Sequence, residues 1–198
     1  MKTINVITLG CSKNTVDSEH LMAQLEAAGY QLSADEERLN ADVVVINTCG
    51  FIGDAKQESI ELILEAVAAK EAGLIEQLFV IGCLSERYAK DLPELIPEVD
   101  AWFGVRDFQP MLHYLGVNQE FEKAGRYQTS PSHYAYLKIS EGCDRHCAYC
   151  AIPIITGRHK SRSIEEIVAE VESLVKMGVR EFQLIAQDLT YYGMDLYK

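Results

Sequence analysis

The sequence predicts an α/β protein in two parts. Residues 1–118 read as a doubly wound parallel-sheet domain, and residues 134–198 as a second strand–helix–strand unit. Three observations carry this. Continuous apolar runs such as Val43-Val44-Val45-Ile46 and Leu78-Phe79-Val80-Ile81 have the pattern of parallel strands buried on both faces. Stretches with apolar residues at helical spacing separate them. Residues 119–133 are polar, contain Gly125 and Pro131, and read as a linker.

Taken in order, Ile4 to Leu9 is a short strand ending at Gly10-Cys11. The next helix carries Leu21, Met22, Leu25 and Ala28 on one face, with Asn14 or Thr15 as its expected cap and Gly29 as its stop. Tyr30 to Leu32 reads as an edge strand. Asp42 to Ile46 is a buried strand ending at Asn47-Thr48-Cys49, and Asp54 is the expected cap of the helix that runs to Gly73. Leu78 to Ile81 leads to Gly82-Cys83 and a short helix over Glu86 to Lys90, ended by Pro93. Ala101 to Val105 is a last strand and Phe108 to Leu115 a closing helix. Beyond the linker, Tyr134 to Ile139 is a strand and Ser163 opens a capping box with Glu166. The helix so capped ends at Gly178, and Val179 to Ile185 is the final strand.

The six cysteines fall into two sets. Cys11, Cys49 and Cys83 each follow a strand, at the edge where open parallel sheets bind ligands. Taken singly, each fits a buried apolar cysteine. If their strands are neighbours, the three thiols converge. Cys143, Cys147 and Cys150 lie within eight residues. Three thiolates can hold an iron–sulfur cluster with one iron left open for a small molecule. A zinc knuckle completed by His146 or His159 is the competing reading of the second set. The loop Gly157 to Arg162 is basic, and reads either as a solvated turn or as a contact for an anionic group.

The net charge is −12, which provides no basic footprint for non-specific nucleic-acid binding and better suits a basic protein partner. The apolar run after Met1-Lys2 is too short for a signal or membrane segment. Six cysteines without a secretory signal point to the reducing cytoplasm and to metal ligation rather than disulfides.

Cys143-Asp144-Arg145-His146-Cys147-Ala148-Tyr149-Cys150 resembles the radical S-adenosylmethionine (SAM) signature, CxxxCxxC with an aromatic before the last cysteine. The resemblance implies a [4Fe-4S] cluster on Cys143, Cys147 and Cys150, with SAM chelated at the open iron and cleaved by one electron to a 5′-deoxyadenosyl radical. With Cys11-Ser12-Lys13-Asn14, Asn47-Thr48-Cys49-Gly50-Phe51-Ile52 and Ile81-Gly82-Cys83-Leu84, the chain resembles the methylthiotransferase family. The first two motifs, and Gln187-Asp188 before Tyr192-Gly193, are similar to the branch that methylthiolates an aspartate of small-subunit ribosomal protein twelve. The tRNA-modifying branch usually reads Cys-Gln-Met-Asn at the first site.

The resemblance implies that residues 134–198 are the first βαβ part of a radical SAM partial (βα)6 barrel. It assigns a second [4Fe-4S] cluster, which presents the sulfur to be transferred, to Cys11, Cys49 and Cys83, and a methyl group to a second SAM. Tyr149 and Gln187 are its cofactor-binding residues. Its implied partners are the ribosomal protein and an electron donor such as flavodoxin or ferredoxin, with no membrane and no direct nucleic-acid contact. The family's core has further barrel strands and a docking domain. This chain supplies about two barrel strands, so it is expected to hold clusters without completing the reaction, and to leave Phe182 to Ile185 with an open edge. Action on tRNA adenosine, and a non-catalytic iron–sulfur or zinc scaffold, are the alternatives.

Overall fold

The computed structural model describes residues 2–34, 39–105, 108–117 and 125–197. The start of the expected linker, residues 118–124, lies outside them. The first half is a parallel sheet of β1 (Thr3–Thr8), β2 (Gln31–Ala34), β3 (Val43–Thr48), β4 (Gln77–Gly82) and β5 (Ala101–Trp102) in the order β2-β1-β3-β4-β5. Its helices are α1 (Ser12–Ala27), α2 (Gly53–Glu71), the short α3 (Cys83–Arg87) and α4 (Leu92–Leu95), and α5 (Gln109–Tyr114).

The apolar strands have two buried faces because helices cover both. Val43 and Val45 of β3, with Phe79 and Ile81 of β4, pack against Leu21 and Leu25 of α1 and Met111 and Leu112 of α5. Val44 and Ile46, with Leu78 and Val80, pack against Ile63 and Val67 of α2. All six residues of β3 are buried.

Element ends differ from the sequence expectation where side chains find tertiary partners. Cys11, not Asn14 or Thr15, stands at the N-cap of α1 and makes no side-chain cap bond. Asn14 instead donates to the carbonyls of Leu9 (2.8 Å) and Thr48 (3.1 Å). Asp54 lies inside the first turn of α2, where its charge favours the helix dipole, and Ile52 holds the cap position. Pro93 opens α4 rather than ending a helix, since a first turn needs no amide hydrogen from it. β5 stops at Trp102, because the chain turns away to Glu86, whose Oε2 accepts from Val105 N at 3.3 Å.

The second half contains β6 (Tyr134–Lys138), β7 (Ser140–Glu141), α6 (Ile152–Ile155), β8 (Lys160–Ser161), α7 (Ile164–Met177) and β9 (Glu181–Ile185). β6 pairs β9 in parallel across the α7 crossover, giving the expected βαβ unit. The capping box of Ser163 and Glu166 is present, and Gly178 ends α7 in the left-handed conformation. Its core is small: Ala135, Leu174 and Val179, with Phe182 against them. Leu184 of β9 is 53% exposed.

Two features were not legible beforehand. The basic loop pairs as β8 antiparallel to β7, with Glu141 opposite Lys160. The far end of the polar stretch lies against α1: Tyr127 N donates to Glu19 O, and Arg126 is only 6% exposed. Arg126 makes an ion pair with Glu19 of α1 and another, at 2.7 Å, with Glu170 of α7. Arg162 reaches the same Glu170 at 2.5 Å. Burial alone raises Glu170, but hydrogen bonds and charge from His20, Arg162 and Arg126 hold its carboxyl well below the ordinary range. No helix among the described residues is long and apolar enough to cross a membrane.

Candidate functional site

β1, β3 and β4 are neighbours, so the condition for the first cysteine set is met. The sheet order reverses between β1 and β3, which is where open α/β sheets form their ligand crevice. Cys11, Cys49 and Cys83 line one cavity of about 510 Å³ there.

The turns that carry the three thiols are braced. Asn47 Nδ2 donates to Asn14 O (3.0 Å) and Ser18 Oγ (2.9 Å). Thr48 Oγ1 donates to Ile81 O at 2.6 Å, tying the end of β3 to β4. Cys49 N donates to Ser59 Oγ at 3.1 Å, and Arg87 Nη1 donates to Gly50 O at 2.8 Å. Asn14 Oδ1 lies 4.0 Å from Cys83 Sγ. Gly10 has φ +93°, and a Cβ there would come within 2.7 Å of Cys49 Cβ, so only glycine lets β1 close on the second cysteine.

The electrostatics suit a cationic guest. Burial first, then the neighbouring Cys49 and Cys11 and the carboxylates of Glu141 and Asp17, push the Cys83 thiol up to about 12. Sulfurs so placed ionise when positive metal charge enters among them. Among the described residues, no three His, Cys, Asp or Glu side chains group tightly enough for a single metal ion.

The cavity has two owners. Glu141, Ile152, Thr156 and Gln187, all from the second half, also line it. Lys13 of α1 donates to Gln187 Oε1 across the seam. Lys138 of β6 makes ion pairs with Asp17 of α1 and, at 2.7 Å, with Glu141. Burial opposes the charge on Lys138, but these two carboxylates together raise its pKa above the ordinary value. Lys13, Asp17, Lys138 and Glu141 were missed by sequence reasoning. Lys13 and Asp17 lie in the first two turns of the helix that Cys11 caps, and that proximity was the available signal.

The second cysteine set sits in a loop. Cys147 is exposed, while Cys143 and Cys150 are partly covered. Gly142 carries φ +73°, and a Cβ there would collide with Arg158 O, which brings the two arms of the loop together. Cys143 N donates to Gly157 O at 3.1 Å, Cys150 N to Cys147 O at 3.1 Å, and His159 N to Asp144 Oδ1 at 3.0 Å. Arg145 Nε donates to Asp188 Oδ2 at 2.9 Å. Tyr149 is 90% exposed. His159 is buried with its Nε2 2.9 Å from Ser161 Oγ, and it lines a small pocket with Cys143, Asp144 and Arg145.

Comparison with known proteins follows the same division. Residues 3–104 match the family described as "Uncharacterized protein family UPF0004", and residues 137–197 match the radical SAM superfamily. A curated relative from Bacteroides fragilis, named ribosomal protein uS12 methylthiotransferase RimO, is 62% identical over 198 residues, which are 100% of this chain and 46% of the relative. One of the same name from Porphyromonas gingivalis is 60% identical over 195 residues, 98% of this chain and 45% of the relative. The chain therefore spans about half the length of the curated relatives it matches. The solved structure of the radical SAM methyltransferase TsrM from Kitasatospora setae, with tryptophan substrate and a SAM analog bound, superposes with a TM-score of 0.60. Identity is 12%, over 99% of this chain and 49% of that one, so the likeness is one of fold.

Proposed function

Because the chain belongs to the UPF0004 family and carries a second, CxxxCxxC cysteine set, we propose that the protein acts as a radical SAM methylthiotransferase, adding a methylthio group to the β-carbon of an aspartate in ribosomal protein uS12. The observation that carries this reading is the shared cavity: Cys11, Cys49 and Cys83 face a space whose other wall comes from the half that bears Cys143, Cys147 and Cys150. Two [4Fe-4S] clusters and SAM would supply one-electron chemistry, a sulfur atom and a methyl group, because acid–base chemistry does not reach an unactivated C–H bond near neutral pH. Residues 1–118 form the domain of the first cluster in this reading, residues 119–133 the linker, and residues 134–198 the start of the radical SAM core.

The chain's own residues would do the positioning. Cys11, Cys49 and Cys83 hold one cluster at the sheet edge. Cys143, Cys147 and Cys150 hold the other, with Tyr149 and Gln187 beside SAM. Lys138 joins the two halves by binding a carboxylate from each, Asp17 and Glu141. A cytoplasmic location and a flavodoxin- or ferredoxin-like electron donor belong to the same reading. The 60–62% identity to relatives named for uS12 favours a protein target over tRNA.

The test incubates full-length protein, purified and reconstituted without oxygen, with SAM, reductant and sulfide. Parallel reactions contain uS12 or tRNA, and mass spectrometry reads the products. A methylthio mass increase on uS12 is expected. Sulfur on tRNA alone would sink this reading, and zinc without sulfide in the purified protein would favour a scaffold.

A further inference from the structure

We infer that Lys13 determines specificity for an acidic target, its ammonium receiving the carboxylate beside the carbon that is modified. This rests on the function proposed above. Lys13 lies two residues after Cys11, in the first turn of α1, and lines the cavity that holds the three thiols. Its Nζ donates to Gln187 Oε1, from the segment that follows β9. It thus stands on the seam between the two cysteine sets.

Among the described residues lining this cavity, Lys13 is the only cation, against Asp17, Glu58 and Glu141. Asp17 and Glu141 are both ion-paired with Lys138. Their ion pairs run to Lys138 and not to Lys13, and one cation against two carboxylates leaves this wall net negative. Glu58 stands exposed on α2. Among the described residues, the hydrogen-bond partner of Lys13 is a neutral amide, which takes one of three ammonium donors and leaves the others for an incoming anion. A pocket whose walls carry three carboxylates repels an incoming one unless a cation is offered, and Lys13 offers it. The aspartate carboxylate is bonded directly to the β-carbon. Anchoring that group fixes the reacting carbon beside the thiol site, where a displacement of about 1 Å can cost on the order of a hundredfold in rate. Gln187, by accepting from the same ammonium, acts as a positioning residue.

The test is equilibrium binding of labelled uS12 to cluster-loaded, full-length protein, with SAM present and reductant absent so that nothing turns over. Fluorescence anisotropy compares uS12 carrying Asp or Asn at the modified position, against wild type and Lys13→Met. Wild type should prefer the Asp form by on the order of tenfold or more, as a charge-assisted hydrogen bond supplies. Lys13→Met should bind the Asp form only as well as the Asn form, with affinity for Asn unchanged. Lys13→Arg, which keeps the charge, should recover most of the preference. Iron and sulfide content verifies each variant, and Lys13→Gln replaces Lys13→Met if the latter loses iron. Equal weakening of both forms, or no change in the preference, overturns the assignment. The two readings fail differently. If wild type transfers methylthio groups to uS12 yet the binding comparison is flat, only the role of Lys13 falls. If wild type does not modify uS12, the proposed function falls and this inference with it.

Discussion

The two cysteine sets solve the same problem in opposite ways. Cys11, Cys49 and Cys83 are drawn from three separate turns, and one sheet brings them together. Cys143, Cys147 and Cys150 share a single loop whose two arms close on each other at Gly142. The first set therefore depends on the whole five-stranded core. The second depends on a handful of local bonds, with one thiol already in solvent. The surroundings match: β3 is buried at every residue, whereas β9 has Leu184 half in water. A site assembled from distant strands is as rigid as its sheet. A site written into one loop can order itself when metal arrives.

The sharpest way to break this comparison is by composition. Changing Cys143, Cys147 and Cys150 together to Ala should halve the iron and sulfide of reconstituted protein, and changing Cys11, Cys49 and Cys83 should remove the other half. Loss of all iron from either triple variant would mean one shared cluster. Next in size, Phe79→Ala empties the centre of the sheet and should cost about 3–5 kcal/mol in urea unfolding. It should take the first iron site with it, and Leu184→Ala, at a half-exposed position, should cost under about 1 kcal/mol.

Arg126→Ala tests the joint between the regions. It leaves the buried Glu19 without its cation, while Glu170 keeps Arg162, and should cost about 3–5 kcal/mol. The pH dependence has a defined sign. Glu170 titrates in the folded protein below its ordinary 4.5, so its contribution is full above about pH 4.5 and is lost as the pH falls toward the folded value. Urea midpoints between pH 3 and 7 should show a shallower acid slope in Arg126→Ala. The smallest effect is Ser163→Ala, which removes the capping box of α7 and should cost about 1 kcal/mol by the same measurement.

What could be read from the sequence was what repeats locally. Val43 to Ile46 and Leu78 to Ile81 announce buried strands because helices on both faces leave no polar alternation. The cysteines at three strand ends follow from that order. Long-range polar partners have no such period. Asn14 resembles a cap in sequence, yet it serves two carbonyls of neighbouring strand ends. Arg126 lies in a polar stretch that reads as linker, and becomes buried only because Glu19, 107 residues earlier, meets it. Lys13 and Gln187 are 174 residues apart, so nothing local couples them.

The Arg126 joint also sets a timetable. Glu19 leaves the ribosome 107 residues ahead of its arginine. At the usual 5–20 residues per second, this carboxylate waits roughly 5–20 s for a counter-charge. During that wait α1 can lay Leu21 and Leu25 on the growing sheet, but the turn bearing Glu19 must stay wet. Glu170 emerges 44 residues after Arg126 and completes the joint. The strands that carry the three thiols of the first site are thus made before the residues that fasten the second half to them.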